Sequence, residues 1–141
     1  MFYGQAKHTI DQKGRINLPS KYRDELGESF FVMRGFEKCL FVYTEEGYKE
    51  LEAKLRALPI AKGGRIQRYI FGSTESVSVD KQGRFVVPPS LREFAGLEKD
   101  VVVAGVSSRI EIWDANTFAS YEDETVSDPA KLSEMLELFE I

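Results

Sequence analysis

Thiol and imidazole chemistry are nearly missing from this chain, which holds one cysteine, Cys39, and one histidine, His8. A single cysteine excludes an internal disulfide and suits a reducing compartment. A lone histidine has no second imidazole with which to build a metal site, and in a strand it is far more often structural or exposed than catalytic. Long apolar runs are missing as well. Met1 to His8 contains no apolar stretch of signal length and no later segment approaches a membrane span, so the expectation is a cytoplasmic protein, neither exported nor embedded. There is no phosphate-cradling loop either, because Gly63-Gly64 lacks the lysine and serine that a nucleotide site needs. Cys39 sits in an apolar run and reads as core, while Asp11 and Asp80 each stand beside a glycine turn that favours aspartate for its side-chain-to-backbone bonds. Nothing here assembles a catalytic constellation. The expectation is no enzyme, no cofactor, no metal and no small-molecule substrate.

What the chain does have is a stretch that occurs twice. Asp11-Gln12-Lys13-Gly14-Arg15-Ile16-Asn17-Leu18-Pro19 returns as Asp80-Lys81-Gln82-Gly83-Arg84-Phe85-Val86-Val87-Pro88, with Asp, Gly, Arg and Pro in the same places. The match runs on, with Tyr22 to Gly27 lying over Leu91 to Gly96 and Cys39 to Thr44 over Arg109 to Asp114. A repeat of this length is a duplication. Each unit alone is a marginal folding unit, so the two are expected to share one core, which an apolar fraction of 43% with 12% aromatics can supply.

The net charge of −4 conceals an uneven spread. Residues 122–141 carry seven acidic side chains against one lysine, whereas residues 1–70 carry 13 basic against 9 acidic. A local basic surface is therefore compatible with an acidic chain, and overall charge does not exclude nucleic acid.

Along the chain, Lys7 to Ile10 reads as a strand, Gln12-Lys13-Gly14 as a turn and Arg15 to Leu18 as a second strand alternating with period two, together a hairpin with a basic tip. Pro19 fits the first position of a short helix that Gly27 closes. Ser29 to Arg34 and Cys39 to Tyr43 are buried strands by content. Thr44 starts a helix whose Tyr48, Leu51, Leu55 and Leu58 form one apolar face, and Pro59 ends it. Ala61 to Gly64 reads as a loop before a short helix over Arg65 to Phe71. The second copy repeats the order: strand Ser76 to Val79, strand Arg84 to Val87, helix Pro89 to Ala95, strands Val101 to Val103 and Ile110 to Trp113. Asp114 caps a helix carrying Phe118 and Tyr121. A final amphipathic helix, from Pro129 to about Phe139, sets Leu132, Met135, Leu136 and Phe139 against an acidic side. This face and that of Tyr48-Leu51-Leu55-Leu58 exceed what a small chain needs for its own core, which points to a homo-oligomer.

The basic residues of the tips are the candidates for function. Lys13 and Arg15 in one copy, and Lys81 and Arg84 in the other, project from paired loops, and an arginine at the root of a strand can reach phosphates or pair with guanine edges. The plainer reading is that Asp and Arg four residues apart bridge across the turn. Arg23 and Arg92 on the short helices come next, with a solvated helix face as their plain alternative.

The two Asp-x-x-Gly-Arg-x-x-x-Pro stretches, the Met1-Phe2-x-Gly start, Leu18-Pro19 and Ile110-Glu111-Ile112-Trp113-Asp114 resemble the MraZ family, bacterial transcriptional regulators with tandem SpoVT-AbrB domains. The resemblance implies an α+β fold of tandem AbrB-like double-split β-α-β units, of the swapped-hairpin type, with flanking helices. The units would span 5–47 and 76–119, with 120–141 as an acidic helical tail. It further implies a ring of subunits, binding of double-stranded DNA at short direct repeats ahead of the division and cell-wall gene cluster, which includes its own gene, and residence on the nucleoid. In copy two Gln82 stands where copy one has Lys13, and the lysine has moved back to Lys81. Two other readings stay open: an AbrB-type antitoxin, which the internal duplication argues against, and an oligomeric assembly protein that does not bind DNA.

Overall fold

A computed structural model describes residues 1–141. In chain order the elements are β1 (Gln5–Thr9), β2 (Arg15–Asn17), α1 (Ser20–Leu26), β3 (Ser29–Arg34), β4 (Leu40–Thr44), α2 (Glu45–Arg56), α3 (Ile60–Phe71), β5 (Glu75–Ser78), β6 (Arg84–Val86), α4 (Pro89–Ala95), β7 (Asp100–Val106), β8 (Arg109–Asp114), α5 (Ala115–Val126) and α6 (Pro129–Leu138).

The two copies exchange strands. A six-stranded antiparallel sheet has the order β1-β7-β8-β4-β3-β5, so the first strand of each copy lies at an edge formed by the other copy. A second, two-stranded sheet consists of β2 and β6, again one from each copy. The expected local hairpin is therefore reduced to its turn. Ile10 and Ile16 make a single bridge, after which β1 goes to β7 and β2 to β6. β2 buries Ile16 and β1 half-buries Ala6 and His8, both must satisfy their backbone groups, and pairing with the other copy serves both needs. This is a tandem AbrB-like α+β fold.

Period-two alternation sends the sheet's side chains to two cores. Phe30, Val32, Leu40, Val42, Val101, Val103, Ile110 and Ile112 enter one, which is closed by α1, α4 and the β2–β6 ribbon. Met33, Phe41, Tyr43 and Trp113 point to the opposite face, against α2, α3 and α5. Here the structure corrects two expectations. The Ala61–Gly64 stretch is not a loop, since α3 starts at Ile60 and runs through both glycines. Gly63 lies so close to the Leu58 side chain that a Cβ would collide with it, so contact overrides the low helix propensity of glycine. The apolar face of α2 is not left for a partner either: Tyr48 is buried, and Leu51 and Leu55 pack with Ile66, Tyr69 and Ile70. A smaller shift concerns Pro19, which caps α1 rather than opening it.

Side chains set the starts of α2 and α5. The Thr44 hydroxyl accepts from the Gly47 N–H at 2.8 Å, and the Asp114 carboxylate accepts from the Thr117 N–H at 3.3 Å. No helix is long and apolar enough to cross a membrane.

Candidate nucleic-acid interface

Each repeated turn is built by its aspartate. Asp11 Oδ1 accepts from the backbone N–H groups of Lys13 and Arg15, both at 2.9 Å, while the Asp11 N–H donates to the Arg15 carbonyl at 3.1 Å. Asp80 repeats the arrangement, accepting from Gln82 and Arg84 at 2.9 Å each and donating to the Arg84 carbonyl at 2.7 Å. Gly14 and Gly83 close the turns at φ of 82° and 78°, which an L side chain adopts only with strain. The Arg15 N–H, then the Arg15 guanidinium, hold the Asp11 carboxyl below the usual carboxylate range; the Arg84 N–H leads the same effect at Asp80.

The bridge across the turn is present in both copies, Arg15 Nε to Asp11 Oδ2 at 2.6 Å and Arg84 Nε to Asp80 Oδ2 at 3.0 Å. It uses one nitrogen of each guanidinium. The terminal amino groups have no protein partner and stay available, so the bridge aims the arginine rather than consuming it.

The ribbon joins the turns. Ile16 pairs with Phe85, and both are buried, with Phe85 edge-on to Phe30 at 5.2 Å between ring centres. The flanking positions must then face outward, Arg15 opposite Val86 and Asn17 opposite Arg84. The antiparallel register sets the turns at opposite ends, with the Gly14 carbonyl accepting from the Val87 N–H at 2.8 Å.

The helix arginines cross between copies. Arg23 of α1 covers Gly83, where any Cβ would collide with its guanidinium, and Arg92 of α4 approaches Gly14, its Nη1 lying 3.7 Å from where a Cβ would stand. The six residues therefore form two groups, Lys13, Arg15 and Arg92 at one turn, and Lys81, Arg84 and Arg23 at the other. The helix arginines are not equivalent. Arg92 donates to the carbonyls of Leu97 and Glu98 at 3.1 and 3.2 Å, whereas the Nε of Arg23 is buried without a partner. Sequence reasoning overlooked Asn17 and Val86, although the inward alternation of Ile16 and Phe85 was enough to place them beside the arginines.

The other chemistry-bearing groups lie apart from this face. Burial pushes the Cys39 thiol up to about 12, so it stays a neutral core residue. Partial burial lowers His8. No three His, Cys, Asp or Glu side chains converge as metal ligands.

Comparison with known proteins gives a consistent result. The family model described as "MraZ protein, putative antitoxin-like" matches residues 1–64 and 70–138. The chain belongs to the MraZ family. It is 50% identical to the transcriptional regulator MraZ of Acetivibrio thermocellus over 90% of this chain and 91% of that one. It is 42% identical to the proteins of the same name from a Thermoanaerobacter species, covering 97% of each chain, and from Moorella thermoacetica, covering 100% of each. The family is one of transcriptional regulators and not of enzymes.

Proposed function

We propose that this protein is a sequence-specific DNA-binding transcriptional regulator that uses the β2–β6 ribbon and its two basic turns as its reading surface. The observation that carries this reading is the ribbon itself: two strands, buried on one side, with Arg15 and Arg84 on the other and each guanidinium tethered through one nitrogen. A two-stranded ribbon fits the major groove, and an aimed arginine is suited to guanine O6 and N7. Lys13 and Lys81 are exposed at the turns for phosphate contact, with Arg23 and Arg92 behind them. The units 5–47 and 76–119 act together as one reader, with 120–141 as an acidic helical tail. The targets are short direct repeats ahead of the division and cell-wall gene cluster, which includes the gene of the regulator itself, and the protein resides on the nucleoid.

Subunits assemble into a homo-oligomeric ring. With the α2 face used internally, α6 alone supports this: Leu132, Met135, Leu136 and Phe139 are 37%, 51%, 47% and 69% exposed and form an apolar stripe that the chain covers only in part. A ring sets several readers against successive repeats, so weak single sites add through effective concentration.

The test is binding of a labelled promoter fragment at increasing salt. The expected result is affinity that falls steeply and linearly on logarithmic axes as phosphate contacts release counterions. Absence of binding, or binding indifferent to salt, favours an assembly protein instead.

A further inference from the structure

The outer face of the ribbon holds four residues, and only two of them are alike between copies. Arg15 and Arg84 occupy equivalent places in the repeat, as do Asn17 and Val86, so the pseudo-twofold relation that matches the arginines sets an amide against an isopropyl group. Val86 is 51% exposed, though its neighbours in sequence, Phe85 and Val87, are each 1% exposed. Asn17 is exposed too, and makes no side-chain hydrogen bond within the protein. Packing therefore explains neither side chain. Each lies across the ladder from an arginine: Val86 opposite Arg15, and Asn17 opposite Arg84.

We propose that Asn17 and Val86 are specificity-determining residues that read different bases, so that one chain recognises a site whose two halves differ; this rests on the ribbon being the DNA-reading surface. The chemistry separates the two. An asparagine amide offers a donor and an acceptor that match adenine N6 and N7, while valine has no hydrogen-bonding atom and gains only by apolar contact, for which the thymine methyl is the available group in the major groove. The half-site under Arg84 and Asn17 then prefers a guanine beside an adenine, and the half-site under Arg15 and Val86 a guanine beside a thymine. Were both positions the same residue, the ribbon would favour a palindrome. The difference gives the bound site a direction.

The experiment is selection of duplexes from a library randomised across the site, with full-length protein and with the variants Asn17→Val and Val86→Asn, followed by titration of single duplexes. The wild type is expected to enrich a motif with unlike halves. Asn17→Val should remove the adenine preference from one half and make the motif more symmetric, with a loss of roughly 5- to 150-fold on the original duplex, the range for one bidentate base contact. Val86→Asn should bring adenine into the other half. Valine suits an exposed strand position, so Asn17→Val keeps its fold and decides the matter even if Val86→Asn is disturbed. An unchanged motif in Asn17→Val, with binding still weakened by Arg15→Ala, overturns the base assignment and leaves the ribbon as reader. Selection without enrichment, together with no effect of Arg15→Ala, removes the ribbon reading and this inference with it.

Discussion

The two copies are alike where they turn and unlike where they end. Both turns have the same hydrogen bonds, the same positive φ glycine and the same tethered arginine. The helices that follow diverge: after copy one, α3 folds back, burying Ile70 and placing the Tyr69 hydroxyl 2.5 Å from the Gly35 carbonyl, whereas after copy two, α6 leaves its apolar residues exposed. α3 also supplies the carbonyl of Tyr69, which accepts from Arg34 Nη2 at 2.7 Å, and the Arg34 guanidinium lies over the Tyr69 ring. Nothing comparable anchors α6, whose hydrogen bonds beyond its own helical ladder are those of its cap and termini. A duplicated unit thus kept its turns under one geometric constraint while its appended helices diverged, one completing the core and one remaining exposed.

The largest effect should come from contrasting those helices. Ile70→Ala removes a side chain 1% exposed and is expected to destabilise the protein by about 2–5 kcal/mol. Truncation after Ser127, which removes α6, should leave the melting temperature nearly unchanged and reduce the oligomer. Thermal melts and light scattering on both variants check this, and equal destabilisation by the two changes would erase the distinction.

The turns allow a finer contrast. Arg15→Ala and Arg84→Ala should each weaken promoter binding by roughly 1–3 kcal/mol if the contact is bidentate to a base, with little change in melting temperature because the turn stays held by backbone bonds to Asp11 or Asp80. Arg15 should matter more, having Lys13 beside it where copy two has Gln82. Lower stability with unchanged affinity of the folded fraction would return both arginines to a purely structural bridge.

Acid should affect the turns equally and least. Asp11 and Asp80 are held below their usual range in the fold, so their contribution is full above the unfolded carboxylate value of about 4 and is lost as pH falls through the lower folded values. The Lys13 and Gln82 amide signals should shift together by NMR in that acidic window. Asp11→Asn should remove the transition from the first turn alone, and a shift that persists there would assign it to another group.

Much of this was legible locally. The extent of β3 and the caps at Thr44 and Asp114 followed from residue content and from side chains able to bind the next turn of backbone. Pairing was not, because the β1–β7 and β3–β5 ladders join residues far apart in sequence, and a strand's own pattern records burial but not its neighbour. The cover of α2 was hidden for the same reason: an amphipathic face looks identical whether its own chain or another closes it. The Ala61–Gly64 segment was misread because glycine signals a break unless a neighbour such as Leu58 needs the space. Arg23 and Arg92 were identified as basic helix residues, but their crossing to the opposite turn depends on tertiary structure.

The exchange of strands between copies has a further consequence, which concerns dilution. A single-copy chain that formed this ribbon from two molecules would lose it as concentration fell, since both strands must be present to make it. Here one polypeptide carries both, and the ribbon's integrity is independent of how many molecules the cell holds. Covalent linkage also releases the halves from being identical. A pair of equal molecules must present the same residue twice, but a linked pair can place asparagine at one position and valine at its counterpart.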